Sequence, residues 1–409
     1  MTQQTDRKLF SFEFIALNLV IFFSFCNMSV FYSFFNYLAR IGIPAEWRGF
    51  LVGLEPMSAF LLRLAAVPMV HAGNAATAML VALLMIAAAL CSYGWVVTVP
   101  GLIALRVFHG AAFVLLVSAS MALVVDFIPK EKSGQGFGFV SVSVLVPYAV
   151  MPLVTEALLR YTQNEALIYR GVTVLAVPAL VLLVILRKRL QNGLGGVDGA
   201  LIRRPKLEEI RQNLKEPRIV LLLGVNLLLY FCYASVFFFI KGHAAANSIT
   251  EVGPFFTIST LVMIALRLTG GLFFDKVDKA KMIQVFMLLL IPWFMLIGHA
   301  NTAFTFYLMA GWYGLCIGLI MPLLNALLFD TSPSHLRGVN TNLALFVMDA
   351  GFFLSPYAGG AFIASGRSFG SLFSICAGFI LVNLLLLIVF ANRDRAAKME
   401  PAAAYLHEG

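Results

Sequence analysis

Charge is what this chain has least of. Only 12% of its 409 residues are Asp, Glu, Lys or Arg, about half the share usual in a water-soluble protein, while 61% are apolar. That excludes a soluble globular domain. Cysteine is scarce too: Cys26, Cys91, Cys232, Cys316 and Cys376 all lie inside apolar stretches and none belongs to a Cys-x-x-Cys pair. Neither a disulfide nor a metal site is therefore expected. A His-Glu-x-x-His metal set and an activated Ser or Cys pair are missing; His243, His299 and His407 stand at segment ends or in the tail, with no ligand spacing. Gly193-Leu-Gly-Gly196 follows no strand and lacks the Lys-Ser/Thr of a phosphate loop. These gaps argue against an intramembrane enzyme and a nucleotide-driven pump. No cofactor is expected, and any pumping must draw on an ion gradient or a partner.

Long apolar runs are what the chain has in abundance. About 20 residues of helix cross a bilayer core of about 30 Å, and inside lipid each backbone polar group must be satisfied within a helix or a closed barrel. The runs do not alternate as barrel strands do, so they read as helices. Twelve spans are expected: 12–39, 49–70, 77–96, 101–125, 135–158, 168–186, 218–240, 252–274, 282–299, 303–329, 338–362 and 369–391. The polar leader carries Arg7 and Lys8, and with no small-residue cleavage site the first span reads as uncleaved.

The net charge is +9, but the basic residues sort by loop and do not cluster on one face, which removes the nucleic-acid reading. With the N-terminus inside, 20 of the 29 Lys and Arg fall on the cytoplasmic side and six outside: Arg40, Arg48, Arg160, Arg170, Lys241 and Arg367. Three, Arg63, Arg106 and Arg267, lie within spans. This bias places both termini in the cytoplasm, as in a bacterial inner-membrane protein. Residues 187–217 read as a cytoplasmic linker on the anionic membrane surface, separating a first half (1–186) from a second (218–392). A tail (393–409) follows.

The halves are copies. Asp126, Pro129 and Gly134 recur as Asp330, Pro333 and Gly338, an offset of 204 residues. Arg63-Leu64 recurs at the same offset as Arg267-Leu268, Gly110 as Gly314 and Pro152 as Pro356. Internal repetition of this kind defines the architecture: an all-α membrane protein of two six-helix units in the same orientation.

Polar residues inside lipid are costly, and they pair or face water. Glu55, Arg106, His109 and Glu156 fall at similar depth in the first half. Two readings stand: a static salt bridge locking helices, or a protonatable carboxylate pushed one way by burial and the other by Arg106. His109, one turn from Arg106, titrates near neutrality when unperturbed and serves either as a relay or as a hydrogen-bonding neighbour. Asp349 is the most deeply placed acid of the second half, functional or buried in a hydrogen-bonded pair. Asn18, Asn27 and Tyr32 in the first span either bond neighbouring helices or line a cavity. So do Asn226, Tyr230 and Tyr233, a stripe at i, i+4 and i+7, and Trp312, Tyr313 and Asn325 in the tenth span.

Several motifs resemble those of the major facilitator superfamily. Arg267-x-x-x-Gly271-x-x-x-Asp275-Lys276 is similar to its loop signature, Arg106-Val-Phe-His109-Gly110 to its Arg-x-x-x-Gly motif, and Asp330-x-x-Pro333-x-x-x-Arg337-Gly338 to its loop between helices 10 and 11. Gly351-x-x-x-Ser355-Pro356-x-x-Gly359-Gly360 resembles the glycine-proline motif of its antiporter branches, displaced into the second half. In the first half, His71 and Asn74 replace an Asp and a Gly of the loop signature, and the fifth span keeps only Pro152 of the glycine-proline motif, with Glu156 in place of a glycine.

The resemblance implies a twelve-helix secondary transporter of two pseudo-symmetric bundles, with helices 1, 4, 7 and 10 lining a central site. It also implies gating by Arg267, Gly271, Asp275, Lys276, Asp330 and Arg337. Two parallel repeats place that site near the midplane, opened alternately by rocking one half on the other. The polar inventory suits a small amphipathic or anionic organic molecule. Proton-coupled export is expected; import or facilitated entry of a nutrient such as an organic acid or sugar is the alternative. The expected partners are the substrate, protons and the lipid bilayer, and a monomer is expected.

Overall fold

The computed structural model describes residues 10–69, 72–124, 127, 133–193, 207–274, 278–333 and 336–407. Asp126, Pro129, His71, Asp275 and Lys276 lie outside them. Among the described residues the backbone is helical apart from short turns between the helices. In the first half α1 is Phe12–Arg40, with a tightened 3-10 turn at Val30–Ser33. It is followed by α2 (Ala45–Met69), α3 (Ala72–Ser92), α4 (Val99–Val124) and α5 (Ser133–Thr162), then α6 (Glu165–Leu186). In the second half α7 is Pro217–Ala246 and α8 Gly253–Phe274, and α9 is Lys279–His299. The last three are α10 (Ala303–Thr331), α11 (Arg337–Ala364) and α12 (Phe369–His407). Ten helices among the described residues are long and apolar enough to cross a membrane. α2, charged at Glu46, Arg48, Glu55 and Arg63, and α8 complete the twelve expected positions. α12 runs on to His407, past the expected span end at 391, through a sequence rich in alanine, a strong helix former, although it contains Pro401.

Local sequence sets the ends. Ser11 accepts a hydrogen bond from the Phe14 amide, Asn164 from Leu167, Asp278 from Lys281, and Thr302 forms a capping box with Thr305. Pro217 opens α7 in its first turn, where no amide donor is needed. Gly42 and Gly366 take left-handed φ of +81° and +83° in the turns after α1 and α11, a conformation that a Cβ disfavours.

The duplication is visible in the packing. α4 lies against α2, and α10 against α8, each through a glycine. A Cβ on Gly110 would sit 2.5 Å from the Glu55 carbonyl, and one on Gly314 would collide with the Ser259 carbonyl; Glu55 and Ser259 are again 204 residues apart. Small residues permit such backbone approach in membranes. Each half has its own aromatic interior: Phe31, Phe34, Tyr37, Tyr93 and Tyr169 in the first, and Phe255, Trp293, Phe306 and Tyr313 in the second.

The halves meet along two seams, α2 against α11 and α5 against α8, with α1 crossing α7 between them. We call the end carrying residues 10 and 407 the terminal end and the other the distal end. At the terminal end, the polar contacts Lys279–Asp330 (3.0 Å) and Arg218–Asp394 (3.4 Å) lie within the second half. The short linker helix Leu207–Asn213 docks there too, Asn213 donating to Asn340 at 2.6 Å.

Candidate functional site

Three polar groupings emerge, and only two of them join the halves. The first is internal to the first half. Arg106 on α4 is fully buried and reaches α2, donating from Nε to the Leu51 carbonyl (3.0 Å) and from Nη2 to the Val52 carbonyl (2.8 Å), with Glu55 Oε2 at 3.6 Å. Its guanidinium stacks over Phe34 and Phe31, 4.7 and 5.4 Å from the ring centres. Nη1 donates to the Tyr93 hydroxyl (3.3 Å), which contacts His109 Nδ1 (3.1 Å), and His109 Nε2 meets the Asn27 side chain (3.1 Å). Glu55, Arg106 and His109 are thus brought together, with α1, α2, α3 and α4 tied around them. Glu156 is not part of this group. Asn18 bonds helix to helix, donating to the Phe14 carbonyl (2.8 Å) and accepting from Ser143 on α5 (3.0 Å).

The α2/α11 seam carries the second grouping. At its distal end Gly49 meets Pro356 and Gly360 so closely that a Cβ on Gly49 would lie 2.7 Å from the Gly360 Cα. One turn inward, Gly53 faces the Phe353 carbonyl in the same way. Deeper, Phe60 stacks on Phe346 with centroids 3.8 Å apart. Beside the stack Arg63 Nε donates to Asp349 Oδ2 at 2.6 Å, both side chains buried. Removing one member of a buried ion pair leaves an uncompensated charge, at a penalty of about 3–5 kcal/mol. Asp349, read from sequence as a deep acid that is either functional or held in a buried pair, ties one half to the other through Arg63.

The α5/α8 seam carries the third. Glu156 on α5 caps the N-terminus of α8 in trans. Its Oε1 accepts from the Val252 amide (2.9 Å), and its Oε2 from Gly253 (2.7 Å) and Val252 (3.1 Å). Free amides and the helix dipole favour a carboxylate there. Tyr32 of α1 donates to Glu156 Oε1 (3.4 Å) and accepts from Lys241 of α7 (3.3 Å), whose ammonium also lies 4.9 Å from the Tyr32 ring centre. Thr257 Oγ1 donates to the Ala149 carbonyl (2.5 Å), and Arg160 pairs with Glu251 at the surface.

Inward of this seam, Tyr148, Tyr233, Val236, Phe237, Phe256, Ser259, Thr260, Met263 and Tyr313 enclose a cavity of about 10 Å³. That is room for about one water. Tyr233 stacks on Tyr313 (6.4 Å), and Phe352 of α11 flanks Tyr230 and Tyr233 at 6.1 and 5.8 Å. Of the residues expected to line a cavity, Tyr32, Tyr230, Tyr233 and Tyr313 come to the half interface or the pocket beside it. Trp312 packs partly buried against the core, Asn226 is buried and donates to the Leu222 carbonyl (3.4 Å), and Asn325 is exposed and joins none of the groupings. Of the expected gating residues, Asp330 is half-exposed and bound to Lys279, Gly271 lies within α8 and Arg337 starts α11.

Sequence reasoning missed Gly49, Lys241, Tyr148, Thr257 and the Phe60–Phe346 stack. The 204-residue offset held part of the signal, since it pairs Gly49 with Gly253 and Gly53 with Thr257. Lys241 gave none, because a basic residue at a helix end reads as a topology signal.

Two like-oriented helical repeats thus meet along two seams, with an aromatic pocket beside one of them. The sequence profile of the Major Facilitator Superfamily matches residues 17–356 and again 246–404, and the chain belongs to that superfamily: it is a transporter and not an enzyme. Among curated proteins, none matches its sequence. Solved structures share its fold, three of them as follows. The nucleoside transporter NupG superposes with a TM-score of 0.75 at 12% identity, over 93% of this chain and 99% of that one. The human organic anion transporter MFSD10 (TETRAN) gives 0.64 at 15% identity, over 92% and 98%. A bacterial homologue of the human lysosomal transporter Spinster, inward-facing and unoccupied, gives 0.65 at 13% identity, over 95% and 96%.

Proposed function

We propose that this transporter exports a small amphipathic or anionic organic molecule, driven by protons. The observation that carries the reading is the grip of Glu156 on the N-terminus of α8. With both termini in the cytoplasm, the distal end is the outer face, and the grip belongs to an outward-closed state. An ionised Glu156 accepts three hydrogen bonds from backbone amides of the other half. Protonation removes the charge that the helix terminus attracts and turns an acceptor into a donor facing donors. A proton arriving from outside thus loosens the outer gate and the halves rock apart on that side, releasing the cargo; the proton is carried through as the outer side closes and is given up inside, and the ionised Glu156 regains the amides of α8. Asp349 holds the other seam through Arg63, while Glu55, Arg106 and His109 brace the first half. The organic anion transport named for MFSD10 and the aromatic pocket support the choice of cargo.

The test is flux in proteoliposomes under an imposed pH difference. Wild-type flux should follow the gradient, and Glu156→Gln should transport without following it. Flux of wild-type protein indifferent to pH refutes the coupling. The same gate serves proton-linked import of an organic acid or sugar. Opposed substrate and proton gradients distinguish the two readings by the sign of net movement.

A further inference from the structure

The seams are copies, so each position on one has a counterpart on the other. Arg63 and Arg267 stand 204 residues apart, and so do Leu145 and Asp349. On the α2/α11 seam Arg63 finds Asp349 at 2.6 Å. On the α5/α8 seam Arg267 occupies the position of Arg63, but a buried leucine, Leu145, occupies the position of Asp349. Among the described residues no carboxylate pairs with Arg267, and its Nε is buried with no hydrogen-bond partner. An arginine within a membrane bundle pairs or faces a water-filled path; this one lacks the partner its copy has.

Its helix face leads to the aromatic pocket. Phe256, Thr260, Met263 and Arg267 fall at i, i+4, i+7 and i+11, one face of α8, and the first three line the aromatic pocket. Arg267 continues that stripe one turn toward the terminal end. The phenols of Tyr230 and Tyr233 on α7 lie within electrostatic reach of its guanidinium. Gly351 lets α11 close on α7 there, where a Cβ would meet Tyr230 at 2.9 Å.

We propose that Arg267 is the anchor for a carboxylate of the cargo, filling with a ligand the role that Asp349 fills within the protein on the other seam. The ligand class follows from the copy: the equivalent arginine is already satisfied by a carboxylate, and the guanidinium fork suits that group. The rings of Tyr230, Tyr233 and Phe352 take the apolar body of the cargo, which makes it an aromatic or otherwise amphipathic organic acid. The proposal rests on the transport of an anionic molecule inferred above but not on proton coupling.

The probe is p-aminohippurate, an aromatic monocarboxylate, against its uncharged amide, added to the purified full-length protein. The carboxylate should raise the apparent Tm and the amide should not, because only a ligand of the folded state shifts it. Arg267→Ala should weaken carboxylate binding by roughly tenfold or more and leave the ligand-free Tm close to that of the wild type. Leu145→Asp supplies the missing partner from within: the ligand-free Tm should rise, the response to the carboxylate should vanish, and the rise should disappear in Leu145→Asp/Arg267→Ala. Three results overturn the proposal: no carboxylate-specific shift in the wild type, the same shift in Arg267→Ala, or no Arg267-dependent stabilisation by Leu145→Asp. Carboxylate binding that needs Arg267, in a protein whose flux ignores pH, upholds the anchor and removes only the coupling.

Discussion

Set side by side, the α2/α11 and α5/α8 seams are one joint built twice with different chemistry at every level. At the distal end, Gly49 against Gly360 on one seam corresponds to Gly253 against Glu156 on the other: backbone on backbone, versus a carboxylate on a helix terminus. One turn inward, Gly53 against the Phe353 carbonyl corresponds to Thr257 donating to the Ala149 carbonyl. Deeper still, the positions of the Arg63–Asp349 pair are taken, at the same offset, by Arg267 and Leu145. The first seam is dry at the rim and ionic within. The second is ionic at the rim and has, within, an arginine that no carboxylate meets among the described residues. A symmetric scaffold thus carries two chemically different joints.

Mutations can break that contrast, beginning with the deepest. Arg63→Ala leaves Asp349 buried and unpaired and should destabilise the protein by about 3–5 kcal/mol, read as thermal or denaturant unfolding. The double variant Arg63→Ala/Asp349→Ala should recover much of the loss, whereas the copy change Arg267→Ala should be nearly silent in the same assay. Glu156→Gln removes charge-assisted hydrogen bonds worth about 1.5–3 kcal/mol in the distal-closed state alone. A cysteine placed at Thr250 should become more reactive to an impermeant thiol reagent in the Gln variant than in the wild-type background. The sign follows from the charge, since only the ionised carboxylate is held by the α8 terminus. Gly49→Ala pushes a methyl into the Pro356 carbonyl and the Gly360 backbone, neither of which yields; overpacking of this kind costs about 1–3 kcal/mol and should bias the transporter toward distal opening, seen as a longer spin-label distance between α2 and α11. Arg160→Ala, which breaks a surface pair with both partners largely exposed, should change stability by about 1 kcal/mol or less and leave flux almost untouched.

Much of this was legible in the chain because membranes permit so few backbone solutions. Span lengths, low charge and the repeat sufficed for two six-helix units, and the motif around Arg267 pointed to the superfamily. The site was legible only in part. Glu55, Arg106 and His109 stood out as costly residues at one depth, and they do meet, but depth alone could not separate them from Glu156, which lies on another face of its half and points across the interface. Asp349 was marked without its partner, since Arg63 is 286 residues away in sequence and no local pattern joins them. Gly49 and Tyr148 carried no signal of their own, because a glycine or a tyrosine in an apolar helix is unexceptional until the opposing helix is in place. Asn325 shows the reverse: a polar residue on a lining helix by count that helical phase turns elsewhere.

The backbone joint between Gly49 and Gly360 has one more consequence. A membrane that stores energy as an acidity difference is only as good as its insulation, and a proton travels wherever water molecules can form an unbroken file. Where two main chains touch with no side chain between them, such a file has no room. The rim of that joint therefore works as an insulator: widen it by one methyl group, and the first thing lost should be the gradient, through a slow leak detectable in vesicles containing no cargo.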